Sequence, residues 1–280
     1  MNSEARLIRV HDLQNCAIGA SDGDIGRVDD VYFDDHSWTV RYFVVDTGTW
    51  LPGRKVLVSP AAIQAIDEPG QRLVTGLTRR QIEASPPIDT DKPVSRQYET
   101  QYHGHYGYPP YWAGPYRWGM LPYPGAVPLA GTYPPPAGGR HSRAVVEEIA
   151  ARERESADPY LRSARAVSGY AIQATDGALG HVEDYLVDGR EWAIRYLIVD
   201  PRSWWPGAHV LVSPDWVTTV DWNESKVHVD ASKEAVRSAP PYRPDLAAVD
   251  RAYEARLYAH YRRPGYWDRR PEDWTRRPAA

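Results

Sequence analysis

Arg41 and Arg195 each interrupt an apolar run, Val40-Arg41-Tyr42-Phe43-Val44-Val45 and Ile194-Arg195-Tyr196-Leu197-Ile198-Val199. A guanidinium in such surroundings is costly unless an acid meets it. Asp30 and Asp46 are the expected partners of Arg41, and Asp184 and Asp200 those of Arg195, in structural ion pairs. Trp50, Trp204 and Trp205 lie in Pro-Gly loops, where an exposed indole is unusual. They either pack on a sheet edge or a sister unit, or anchor a protein interface as candidate binding residues, since a rigid-loop Trp is a typical hot spot. In either case this region is expected to serve pairing between the units or with a partner.

Other reactive residue types fall short of a motif. Asp22-Gly23-Asp24 suggests calcium, but a calcium loop needs further oxygen ligands at fixed steps and a closing acid. Neither occurrence of the stretch supplies them, and Asp24 is replaced by Ala178 in the second. His103 and His105, two positions apart, do not meet on one helix face, and no Cys or carboxylate completes a metal set. Ser59 and Ser213 precede Pro and read as turn caps. There is no Gly-x-Ser-x-Gly, no glycine-rich phosphate loop and no haem, quinone or iron–sulfur ligand pattern. The expectation is a protein that is not an enzyme, with no catalytic residues, no cofactor and no metal.

The elements that hold these residues occur twice. Asp22-Gly23-Asp24-Ile25-Gly26-Arg27-Val28-Asp29-Asp30 returns as Asp176-Gly177-Ala178-Leu179-Gly180-His181-Val182-Glu183-Asp184, an offset of 154. The same offset carries Trp38 onto Trp192, Arg41-Tyr42 onto Arg195-Tyr196, and Val56-Leu57-Val58-Ser59-Pro60 onto Val210-Leu211-Val212-Ser213-Pro214. At an offset of 155, Tyr98-Glu99, His105-Tyr106 and Tyr111-Trp112 match Tyr253-Glu254, His260-Tyr261 and Tyr266-Trp267. A repeat of this length is one domain used twice.

Within unit one, Asp-Gly and polar turns separate short apolar runs. They predict strands at Ala17–Ala20, Ile25–Phe33, Trp38–Asp46, Lys55–Val58, Ile63–Ile66 and Arg72–Thr75. Six short strands at regular spacing read as a small barrel or sandwich. Thr78-Arg79-Arg80-Gln81 has capping-box form and predicts a short helix, and Ser232 opens its counterpart. The organisation expected is barrel 1 over 5–88, its helical, aromatic tail over 89–112, a Pro/Gly-rich linker over 113–141 and a charged helix over 142–157. Barrel 2 follows over 158–241, with its own tail over 242–270.

Composition narrows the class. The chain has 280 residues, 42% hydrophobic and 25% charged, which suits two folded units plus connections. A net charge of −4 offers no basic field for nucleic acid or anionic lipid. The single Cys16 fits a reducing compartment, and no apolar run reaches the ~20 residues of a membrane span. A cytoplasmic protein is expected, at most peripheral to a membrane.

The Asp-Gly-x-x-Gly-x-Val-x-Asp hairpin, the Trp-x-x-Arg-Tyr-x-x-Val-Asp strand and the Trp-x-Pro-Gly-x-x-Val-Leu-Val-Ser-Pro run resemble the PRC-barrel family. The resemblance covers roughly residues 5–85 and 160–240, and the Tyr-Trp tails look like those of a bacterial two-barrel subgroup. It implies a mainly β protein of two tandem six-stranded β-barrels with short flanking helices, used as adaptor or assembly modules without shared catalytic residues. It thereby implies a protein partner, or pairing of the two barrels with each other or in a homo-oligomer. Because the family includes the reaction-centre H subunit and a ribosome-maturation factor, two alternatives also follow: an accessory to a photosynthetic electron-transfer complex, and a ribosome- or RNA-maturation adaptor. This chain lacks the H subunit's transmembrane helix.

Overall fold

The computed structural model describes residues 6–67, 72–88, 94–124, 160–201, 209–243 and 249–269. Before the middle of the chain come β1 (Leu7–Arg9), β2 (Ala17–Ala20), β3 (Gly23–Asp34), β4 (Thr39–Asp46), β5 (Lys55–Val58), β6 (Ile63–Asp67) and β7 (Arg72–Thr75). After it come β8 (Leu161–Ser163), β9 (Ala171–Ala174), β10 (Gly177–Asp188), β11 (Ile194–Asp200), β12 (Val210–Val212), β13 (Val217–Asp221) and β14 (Lys226–Val229). All six strands read from unit one are present, and unit two repeats them.

One sheet runs β5-β4-β3-β2-β7-β6 and the other β12-β11-β10-β9-β14-β13. The β2–β7 and β9–β14 contacts are parallel, and the remaining ladders are antiparallel. Ser59-Pro60 ends β5 as expected of a turn cap: the Ser59 hydroxyl accepts from the Ala61 amide and opens a 3-10 turn, and Ser213 does the same toward Asp215. Proline cannot donate to a ladder, so the chain turns a corner there and β5 and β6 stay as the two ends of the path.

The core forms where the sequence is apolar on both strand faces. Every residue of β4 from Thr39 to Val45 is buried. Gly26 and Gly180 are required by close approach: a Cβ on either would meet the backbone oxygen of Asp46 or Asp200 at 1.9 and 2.1 Å. The short helix Arg79–Glu83 carries the predicted capping box at Thr78 and Gln81, and Lys233–Arg237 is capped by Ser232. The tail helices are Arg96–Tyr106 and Arg251–His260, opened by Ser95 and Asp250.

Two findings differ from the sequence reading. β1 does not join the sheet of its own unit. It pairs antiparallel with β10, while β8 pairs with β3, so the units exchange strands. The expected linker is packed at its start: Trp118 is buried, its indole Nε1–H donates to the Glu191 carbonyl at 2.9 Å, and tight turns form around Gly114 and Gly119. A large aromatic ring with a carbonyl to reach holds these residues in place. The rest of the linker from 125 on, the charged helix at 142–157, and Trp204 and Trp205 lie outside the described residues. Among those residues, no helix is long and apolar enough to cross a membrane.

Candidate interaction site

Arg41 owes its direction to a β-bulge. The β3–β4 ladder pairs Tyr32 with Tyr42 and then Phe33 with Val40, leaving Arg41 as the extra residue. The β10–β11 ladder skips Arg195 in the same way, between Leu186–Tyr196 and Val187–Ile194. A bulge re-aims the side chain it carries. Arg41 Nη2 therefore meets Asp34 Oδ2 at 3.2 Å, and Arg195 Nη2 meets Asp188 Oδ2 at 2.7 Å and Glu191 Oε2 at 2.7 Å. The partners are thus Asp34 and Asp188 rather than Asp30, Asp46, Asp184 and Asp200.

Asp34 and Asp188 also organise the turns that follow their strands. The Asp34 carboxylate accepts from the amides of His36 and Ser37, and Asp188 from those of Arg190 and Glu191. Burial pushes both carboxyls up, but the adjacent guanidinium and the amides outweigh it, and both end below the ordinary carboxylate value.

Above each arginine lies a tail. Arg41 sits 3.8 Å from the centre of the Tyr111 ring, and Arg195 sits 4.0 Å from that of Tyr266. Tyr111 and Tyr42 both reach the buried Glu99, at 2.5 and 3.1 Å, and Arg96 meets its other oxygen at 2.8 Å. Unit two repeats the set with Tyr266, Tyr196, Glu254 and Arg251. Burial raises the Glu99 carboxyl to about 7 and raises Glu254 as well.

His103 enters this network in unit one alone. Its Nδ1 lies 3.0 Å from the Pro109 carbonyl, which can only accept, so Nε2, 3.0 Å from the Tyr42 hydroxyl, is an acceptor that competes with Glu99 for that single hydroxyl proton. Burial holds the imidazole down to about 4, hence neutral. His105 is exposed and faces the Gln81 carbonyl instead, so the two histidines do not converge. Among the described residues, no group of three metal-ligating side chains forms.

Two of the four acids named from the sequence belong to the contact between units. Asp30 accepts the Ser163 hydroxyl and, at 3.3 Å, the Arg165 amide; Asp184 accepts the His11 amide at 3.1 Å. Each thereby satisfies the first turn of a short helix donated by the other unit, Ala164–Val167 or Val10–Leu13. Asp46 instead closes a local turn through the Gly48 amide, and Asp200 lies 3.7 Å from His181.

The turns after Asp34 and Asp188 complete the contact. Trp38 and Trp192, read as the start of a strand and its repeat, are left-handed at φ 50° and 58°. A bulky residue is strained there, and the strain is retained in both copies. It presents the Trp192 carbonyl to the Val40 amide at 2.8 Å and the Trp38 carbonyl to the Ile194 amide at 2.7 Å. Both bonds relate by the repeat offset, so the contact is self-complementary about a pseudo-two-fold. Phe33 on Tyr185 and Phe43 on Trp192 fill it, at 5.8 and 5.2 Å between ring centres. Trp118 crosses the same seam to the Glu191 carbonyl, and Arg117 beside it donates to the Ser37 carbonyl and to the Thr39 hydroxyl.

Trp50 stands elsewhere. It is half-buried in its own unit, with the Arg79 guanidinium 4.7 Å from its ring. The described contacts between units run through the exchanged strands, the Trp38 and Trp192 turns and the Trp118–Glu191 bond.

The curated proteins contain no match to this chain. The family comparison matches residues 6–76 to the PRC-barrel domain, a span that runs from the exchanged β1 to the end of β7. The first unit is therefore a PRC-barrel domain, and the second repeats its strand order and its buried charge network.

Proposed function

We propose that this protein is a non-catalytic adaptor of the cytoplasm, in which two PRC-type units form one platform for a protein partner. The reading is supported above all by the reciprocal exchange: each sheet takes its seventh strand from the other unit, which fixes the relative position of two faces. The charged groups that sequence alone marks as reactive are engaged in holding the fold. Arg41 and Arg195 bind acids of their own hairpins, and Asp30 and Asp184 bind the exchanged helices. The acidic balance of the chain favours protein over nucleic acid as partner.

The test is affinity capture with the full-length tagged protein from its native lysate, followed by reconstitution with the purified partner. A protein recovered in fixed ratio that rebinds in purified form supports the adaptor. Recovery of ribosomal proteins or of a membrane electron-transfer complex would move the reading to one of those settings. A cofactor that copurifies in stoichiometric amount would overturn it.

A further inference from the structure

The two exchanged segments bind equivalent grooves although their sequences differ. Leu7-Ile8-Arg9-Val10-His11-Asp12-Leu13 and Leu161-Arg162-Ser163-Ala164-Arg165-Ala166-Val167 share only leucine at the first position and an apolar residue at the fourth and seventh. The fourth and seventh are buried in both. The first three residues of each pair in register with the end of β10 or β3, Leu7 opposite Asp188 and Leu161 opposite Asp34. The amide at the fifth position then meets the Asp184 or Asp30 carboxylate. Backbone pairing supplies the attraction, and the spacing of three apolar positions supplies the selection, which is how a sheet edge reads a peptide. Ile8 stands where Arg162 does and His11 where Arg165 does, so the groove tolerates either chemistry between the anchors.

The two grooves are not filled equally well. Arg162 pairs with Asp35 at 2.9 Å, Arg165 reaches Asp29, and the Ser163 hydroxyl reaches Asp30, all from the segment on β3. On β10 the corresponding side chains are Ile8, His11 and Arg9; Arg9 turns back to Asp12 of its own segment at 2.7 Å, and Asp184 takes the His11 amide. β1 is only half-buried along its whole length.

We propose that the groove along β10, closed by Asp184, is a peptide-binding site that a partner protein's segment of the form Leu-x-x-apolar-x-x-apolar enters by displacing residues 7–13. This rests on the adaptor reading and names the class of partner. The segment adds to β10 as an antiparallel strand and then makes one helical turn whose free amide caps on Asp184.

The probe is a labelled decapeptide of residues 6–15, titrated by fluorescence anisotropy into the full-length protein and into its Val10→Ser/Leu13→Ser variant, whose own segment is weakened. The variant is expected to bind about tenfold more tightly than wild type, because a tethered competitor acts at roughly millimolar effective concentration. Asp184→Ala in the variant background should weaken binding several-fold, and a peptide with serine in place of Val10 and Leu13 should not bind. Equal binding of that serine peptide, or no binding to a variant with native circular dichroism, would overturn the site. If the variant does not fold, excess peptide added to wild type should speed hydrogen exchange at the Leu7–Leu13 amides, and unchanged exchange would overturn it. Concentration-dependent dimers of wild type that exchange residues 7–13 would make a second copy the occupant and overturn the assignment to a different protein. The measurement uses purified components, so its failure leaves intact an adaptor reading that rests on lysate capture.

Discussion

Arg41 and Arg195 are buried charges held by one bulge geometry in two places. Removing one member of a buried pair strands the other. Arg41→Leu should therefore lower unfolding free energy by roughly 3 kcal/mol, read from urea denaturation, and an unchanged midpoint would refute the pairing. Coupling between Arg41→Leu and Asp34→Asn in a double-mutant cycle should be large, and coupling with Asp46→Asn near zero. The need for an acid beside Arg41 was legible in the sequence, but its identity was not. Asp34 reaches Arg41 because the ladder slips by one residue after Tyr32, and a slip leaves no trace in an apolar run.

The same scale holds a pH effect. Glu99 titrates near 7 in the folded protein against 4.5 ordinarily, so the stability that its proton contributes is lost as pH rises across that window. His103 moves the other way, from 6.5 to about 4, so its contribution grows as pH rises between those values. The two effects oppose each other in unit one. Tyr258 occupies the place of His103 in unit two and supplies no such offset for Glu254. His103→Tyr should therefore make Tm fall more steeply between pH 5 and 7 than in wild type; parallel Tm profiles would refute the opposition.

At the scale of elements, strands, corners and caps followed directly from Asp-Gly turns, Ser-Pro stops and β-branched runs. Gly180→Ala should destabilise by at least about 2 kcal/mol, because a Cβ cannot share space with the Asp200 carbonyl. A loss in urea midpoint comparable to that of an exposed strand substitution would show that the close approach is dispensable. The exchanged strands were not legible. β1 and β8 are three residues each, too short to show a period, and nothing local says which sheet receives them. The start of the linker was missed for a related reason: Gly and Pro dominate its composition, while one indole, Trp118, decides its packing.

For the whole molecule, the seam makes each unit a component of the other. Unfolding either one removes a strand and a helix cap from its neighbour. Calorimetry should therefore give one transition whose van't Hoff and calorimetric enthalpies agree. Two resolved peaks would mean that the exchange contributes little.

The Asp30–Ser163 bond joins positions 133 apart in the chain, and the Asp184–His11 bond positions 173 apart. During vectorial synthesis at about 5–20 residues per second, β3 waits roughly seven to twenty-seven seconds for its missing partner strand to be made. Over that interval the nascent polypeptide carries the bare margin of β3, open to any extended stretch nearby. Maturation of the first unit is thus coupled to synthesis of β8, and a product truncated before it emerges with an adhesive rim.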